Sequence, residues 1–156
     1  MCGIVAYLGD KPAQPILIEG LKRLEYRGYD SAGVAFLQDK HITVSKTPGR
    51  IANLESILTY EKPTQTLGIG HTRWATHGQP NTVNAHPHVD YTGKIAVVHN
   101  GIIENYTTLK KWLIANGVTF KSETDTEVIS NLIGYIYNKR NNLHGSNPSD
   151  DNQNLF

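Results

Sequence analysis

Cysteine is almost absent: one occurs in 156 residues, at position 2. A single thiol excludes an internal disulfide framework and cannot supply a thiolate cluster for structural zinc. Histidine is commoner, but His71, His77, His86, His88 and His99 show none of the spacings of a zinc helix motif, so neither metal nor cofactor is expected. An excess of one charge is missing too. Fifteen basic side chains against fourteen acidic ones leave a net charge of +1, with no block of like charge and no footprint for nucleic acid. No apolar run approaches the ~18–20 residues of a membrane span, and no charged start leads into a secretory-type apolar stretch. There is no GxGxxG or P-loop pattern and no internal repeat. These absences leave a soluble, cytoplasmic, one-domain protein, 38% apolar, long enough to bury a core and without a nucleic-acid or membrane partner.

What is present begins with Cys2, between Met1 and Gly3. Its small side chain permits trimming of Met1. One residue would then carry a thiol, with ordinary pKa about 8.5, and a free α-amine, about 7.7–8.0. A nucleophile whose own terminal amine takes its proton is a known form of activation. A lone cysteine is also commonly a small buried hydrophobe, and position 2 does not decide between these readings.

The chain supplies positions for chemistry in order. Ile4–Leu8 reads as a buried strand, which fixes Cys2 at a strand end. Pro12 and Pro15 suit a first helical turn, Ile16, Leu17, Leu21 and Leu24 follow at helical spacing, and Gly28 is a stop. Residues 25–33 form a polar, Gly-punctuated turn. Val34–Leu37 and Ile42–Ser45 predict a hairpin, Ile51–Leu58 a short amphipathic helix, and Leu67–His71 a further strand. The polar loop 72–80 follows and continues through Asn84–His88. Ile95–Val98 is a strand that stops at His99-Asn100-Gly101. Leu109, Trp112 and Leu113 share one face of a helix closed by Asn116-Gly117, with Trp112 expected in the core. Val118–Phe120 predicts a short strand. Thr124 to Glu127 reads as a capping box, with Thr124 on the Glu127 amide and Glu127 reaching back. Val128, Ile129, Leu132, Ile133 and Ile136 give its helix an apolar face. From Lys139 the composition turns polar and predicts a disordered tail. Strands and helices in runs predict an α+β fold with mainly antiparallel strands.

Polar clusters fall where strands end. Arg73 can grip a carboxylate bidentately. Asn100 and Gly101 offer an NH₂ and a backbone N–H to an oxyanion. Asp125 offers a carboxylate to an ammonium group. With Cys2 they would suit an α-amino acid whose side-chain carbonyl is attacked by a thiol. Separately, Arg73 could be an ion-pair partner, Asp125 a favourable charge at a helix start, and Asn100-Gly101 a turn.

Six blocks occur in order: Met1-Cys2-Gly3-Ile4, Tyr26–Gly33, His71–Gly78, Asn84-Ala85-His86-Pro87, His99-Asn100-Gly101-Ile102 and Ser122–Glu127. Together they closely resemble the glutaminase domain of the glutamine–fructose-6-phosphate aminotransferase (isomerising) family. These are class II glutamine amidotransferases, within the N-terminal nucleophile hydrolases. The start is common to the class; the Tyr26–Gly33 and His71–Gly78 blocks are specific to the subfamily. The resemblance covers about residues 1–138, with 139–156 as a polar tail.

The resemblance implies a four-layer αββα sandwich, incomplete at its C-terminal end. It implies Cys2 as nucleophile with its α-amine as base, and Asn100 and Gly101 as oxyanion hole. Arg73 would bind the glutamine α-carboxylate and Asp125 its ammonium. Trp74, Thr76 and His77 would belong to a loop closing over glutamine, and Arg27 and His86 would support the site. The implied reaction is glutamine hydrolysis through a γ-glutamyl thioester. In the family the ammonia converts fructose 6-phosphate to glucosamine 6-phosphate on a phosphosugar-isomerase domain, through which the family is usually homo-oligomeric. The alternatives are an inactive fragment that keeps the fold, or another class II amidotransferase.

Overall fold

A computed structural model describes residues 1–58, 63–74 and 79–144, the last three of these without their side chains. Four strands form one antiparallel sheet: β1 (Gly3–Leu8), β2 (Ser31–Gln38), β3 (His41–Pro48) and β4 (Leu67–Arg73), in the spatial order β1-β4-β2-β3. Two helices, α1 (Ala13–Leu24) and α2 (Ile51–Ile57), belong with this sheet. Leu17, Leu21, Val34, Ile51 and Leu54 form its core, each 1% exposed or less. A second antiparallel pair, β5 (His88–Val89) and β6 (Ala96–Val97), packs against α4 (Thr126–His144). Helix α3 (Tyr106–Ala115) joins α4 around a smaller cluster of Leu113, Val118 and Val128. The fold is α+β, with antiparallel sheets between helices.

The alternation of β4 decides what faces the site. Gly68 and Gly70 lie on the side of α1: a Cβ at Gly68 would come within 2.9 Å of a Leu17 methyl, and one at Gly70 within 3.0 Å of a Leu21 methyl. These glycines let α1 sit close against the strand. Side chains alternate across a strand, so Leu67, Ile69, His71 and Arg73 fall on the opposite face. Strand β1 pairs Gly3 with Thr72 and Ile4 with His71, and a Cβ at Gly3 would meet Leu24 of α1. Cys2, one residue earlier, therefore belongs to the face of His71 and Arg73.

The hairpin between β2 and β3 turns at Asp39 and Lys40, both with positive φ (49° and 67°), as a two-residue primed turn requires. Helix α3 ends where Asn116-Gly117 predicts. Gly117 has φ 84°, its N–H bonds the Ile114 carbonyl and that of Val118 bonds Leu113, each at 3.0 Å, a Schellman ending.

Five expectations are corrected. β4 extends through Thr72 and Arg73, which the sequence placed in a loop. Among the described residues Val118–Phe120 form no strand; Val118 is held to Leu113 and its side chain fills the α3/α4 cluster. Trp112 is 46% exposed and meets Tyr135 edge-on at 5.1 Å, rather than lying in the core. The capping box is replaced. α4 starts at Thr126, and the Glu127 carboxylate reaches back to the Lys121 amide (2.8 Å) and the Ser122 amide and hydroxyl (2.6 Å each). Thr124 instead pairs with Ser122 and His88. α4 also continues past residue 138 to His144; residues 145–156 of the expected tail lie outside the described residues.

Candidate active site

A cleft of about 590 Å³ opens at the end of the larger sheet. Cys2, Arg27, Arg73, Trp74, His86, Asn100, Gly101 and Asp125 all line it, joined by His71, His99 and Thr126. Thr76 and His77 lie outside the described residues. The remaining sequence candidates, spread over more than a hundred positions, meet at one place.

Cys2 is fixed through its neighbours. The Gly3 amide donates to the Thr72 hydroxyl at 3.1 Å, and the Cys2 sulfur accepts the Trp74 amide at 3.2 Å. The Met1 amine donates to the Arg27 carbonyl, and an Arg27 nitrogen lies 3.8 Å from the Met1 sulfur. Gly28 permits this crowding: a Cβ there would sit 3.0 Å from the Met1 carbonyl and 3.1 Å from the Arg73 backbone. Trp74 is half exposed, with its ring edge-on to Tyr29 at 5.9 Å; Tyr29 in turn carries Arg50 over its ring at 5.1 Å.

Arg73 is 4% exposed at the end of β4 and donates to the Gln79 carbonyl at 3.3 Å. Asp125 is 5% exposed just before α4 and accepts the Ile103 amide at 2.8 Å. That bond ties the 99–103 segment to the start of α4 and thus sets the Asn100-Gly101 backbone beside Asp125. At Gly101 a Cβ would meet the His99 ring at 2.8 Å, so only glycine fits there without displacing His99.

The 84–88 segment is clamped onto the sheet. A Cβ on Gly33 would lie 2.2 Å from the His86 carbonyl oxygen, so glycine lets this backbone rest directly on β2. From β3, the Lys46 ammonium donates to the Val83 and Ala85 carbonyls at 3.1 and 2.8 Å. Burial lowers its pKa to about 8. Asn84, 1% exposed, exchanges hydrogen bonds with Glu123 (3.0 and 3.1 Å), linking this segment to the turn before α4.

Three buried imidazoles lie beneath the cleft. His71 and His86 stack at 4.3 Å with their planes 19° apart, and His88 meets His86 edge-on at 4.7 Å. Burial pushes His71 down to about 4 and His88 to about 3, and His86 is pushed down further; Arg73 adds to each shift. All three rings are neutral near pH 7. His86 thus has a structural place under the cleft, while His71, His99 and Thr126 were not singled out from sequence. His71 carries a signal only once β4 is known to reach Arg73: two residues apart in one strand, they share a face.

Residues 56–140 match the model of a glutamine amidotransferase domain. Over 138 residues the chain is 61% identical to "Glutamine--fructose-6-phosphate aminotransferase [isomerizing]" of Caldanaerobacter subterraneus subsp. tengcongensis, covering 88% of this chain and 23% of that protein. The protein of the same name from Pyrococcus horikoshii is 56% identical over 133 residues, 85% of this chain and 22% of its own length. Among solved structures, the glutamine phosphoribosylpyrophosphate amidotransferase of B. subtilis, complexed with ADP and GMP, superposes with TM-score 0.71 and 30% identity over 86% of this chain and 29% of that one. The chain spans less than a quarter of the length of these curated relatives.

Proposed function

The chain belongs to the glutamine amidotransferase domain family, and we propose that it hydrolyses glutamine to glutamate and ammonia with Cys2 as nucleophile. The observation that carries this reading is the single cleft in which Cys2, Arg73, Asn100, Gly101 and Asp125 converge. It offers a thiol, a fixed cation, a carboxylate and oxyanion donors, the groups that an α-amino acid with a side-chain amide needs. The glutaminase domain is proposed to span residues 1–138.

In this reading Arg73 takes the α-carboxylate of glutamine and Asp125 its α-ammonium. Removal of Met1 frees the Cys2 α-amine, which accepts the thiol proton. The thiolate attacks the δ-carbonyl, forming a C–S bond, and the oxygen becomes an oxyanion held by the Asn100 NH₂ and the Gly101 N–H. Collapse breaks the C–N bond, and the proton held by the amine passes to the departing nitrogen, giving ammonia and a γ-glutamyl thioester. Water then attacks the thioester, with the amine taking its proton, and the thiol is restored as glutamate leaves. Trp74 lines the substrate cleft in this reading, and Arg27 and His86 brace it. The names of the relatives, of whose length this chain spans less than a quarter, support fructose 6-phosphate as the acceptor of the ammonia in the whole protein; the family resemblance adds a phosphosugar-isomerase domain that binds it and through which oligomers form.

The test is steady-state release of glutamate from glutamine by the processed chain. Activity that is abolished by Cys2→Ala supports the proposal; no release above the Cys2→Ala background contradicts it.

A further inference from the structure

The orientation of one amide decides whether Asn100 helps or hinders the reaction proposed above. Its side chain carries a donor and an acceptor at the end of a broad, soft torsion. With the NH₂ toward the cleft it stabilises an oxyanion. Turned over, it would present its own oxygen to that charge. Asn100 is exposed, so solvent does not choose between these states.

His71 does. Its Nε2 lies 2.8 Å from Asn100 Oδ1, where an N–H can donate to the amide oxygen and leave the NH₂ free. The other ring nitrogen, Nδ1, is buried and has no hydrogen-bond partner among the described residues. A neutral imidazole has one N–H, and on Nε2 it meets the Asn100 oxygen. The ring is held in place: it is 1% exposed, it springs from β4, and it stacks on His86. His86 accepts the His99 amide through Nδ1 at 3.4 Å, and His88, edge-on beneath it, bonds the Thr124 hydroxyl at 2.9 Å.

We infer that His71 is a positioning residue, a fixed donor on the sheet that turns the Asn100 amide so that its NH₂ faces the oxyanion. The inference rests on the glutaminase reading. It assigns to the three-histidine column a purpose beyond filling space: His86 fixes the plane of the His71 ring, and His71 fixes Asn100.

The experiment compares the processed chain with His71→Phe and His71→Gln. Phenylalanine keeps the stacking but removes the donor; glutamine restores an NH₂ at similar reach. Glutamine hydrolysis is measured alongside alkylation of Cys2 by iodoacetamide, a displacement with no oxyanion, and protection from that alkylation by glutamate. His71→Phe is expected to lower kcat about 10- to 100-fold, as a displaced oxyanion donor would. KM, the alkylation rate and the protection by glutamate should stay within about twofold of the parent by the same principle, and His71→Gln should recover most of kcat. A kcat for His71→Phe equal to that of the parent overturns the inference. So does a loss in which KM, alkylation and protection all change together and glutamine fails to rescue, since that marks a role in folding alone. A parent chain that neither hydrolyses glutamine nor is protected by glutamate contradicts the glutaminase reading itself, and does so before any variant is made.

Discussion

The backbone N–H of Trp74 points at the sulfur of Cys2 from 3.2 Å. The end of β4 is thus tied to the Cys2 thiol, and Arg73, the residue before Trp74, is held on the same strand end. In the proposed reaction, substrate grip and nucleophile would share one piece of sheet.

From this arrangement, Arg73→Ala is expected to act mainly on binding. Removing the cation takes away a bond made to the carboxylate in ground state and transition state alike, which raises KM more than it lowers kcat. Initial-rate kinetics over a range of glutamine concentrations reads the split. An unchanged KM would remove Arg73 from the binding role.

Asn100→Ala is expected to act the other way. The oxyanion exists only after attack, so kcat should fall about 10²- to 10³-fold while glutamine still binds. Full turnover by this variant would assign the oxyanion to other donors.

Gly33→Ala tests the docking of the 84–88 segment on the sheet. The new Cβ would lie 2.2 Å from the His86 carbonyl oxygen and 3.0 Å from that of Ser45. Both are backbone atoms, so the segment must lift. A loss of about 1–3 kcal/mol is expected from such overpacking, read as a lower urea midpoint. Parental stability would show that the segment does not rest there.

The buried histidines make stability depend on pH. The ordinary histidine pKa is about 6.5, and burial holds His71 near 4 and His88 near 3. Between those values the unfolded chain binds protons that the folded chain does not, so acid favours unfolding. The stabilisation is fully present above about pH 6.5 and is lost as pH falls toward 4. Urea midpoints at pH 7 and pH 5 check this. A lower midpoint at pH 5 is expected, and an equal or higher one would mean that the rings are not buried neutral.

Much of this was legible in the sequence, for identifiable reasons. The Schellman ending at Asn116-Gly117 is local chemistry and sits where the residues say. The candidate residues stand at strand and loop ends, and the order of the blocks carried their resemblance to one family. Contacts over long sequence separations were not legible. Nothing near Gly33 says that the carbonyl of residue 86 will lie on it. One local choice was hidden too: the Glu127 carboxylate takes the Ser122 amide, five residues back, in place of a capping box. Trp112 reads as core from helical spacing alone, yet it stays 46% exposed beside the Tyr135 ring. Val118 and Phe120 have strand-like side chains but pack into the α3/α4 cluster, with no strand beside them among the described residues.

The most direct test of the central claim is the intact mass of the purified chain before and after exposure to a diazoketone analogue of glutamine. The expected result is a mass lacking Met1 and a single adduct on Cys2, formed faster than on a free thiol and blocked by excess glutamine. A retained Met1, or a Cys2 that reacts no faster than a free thiol and is indifferent to glutamine, would contradict it.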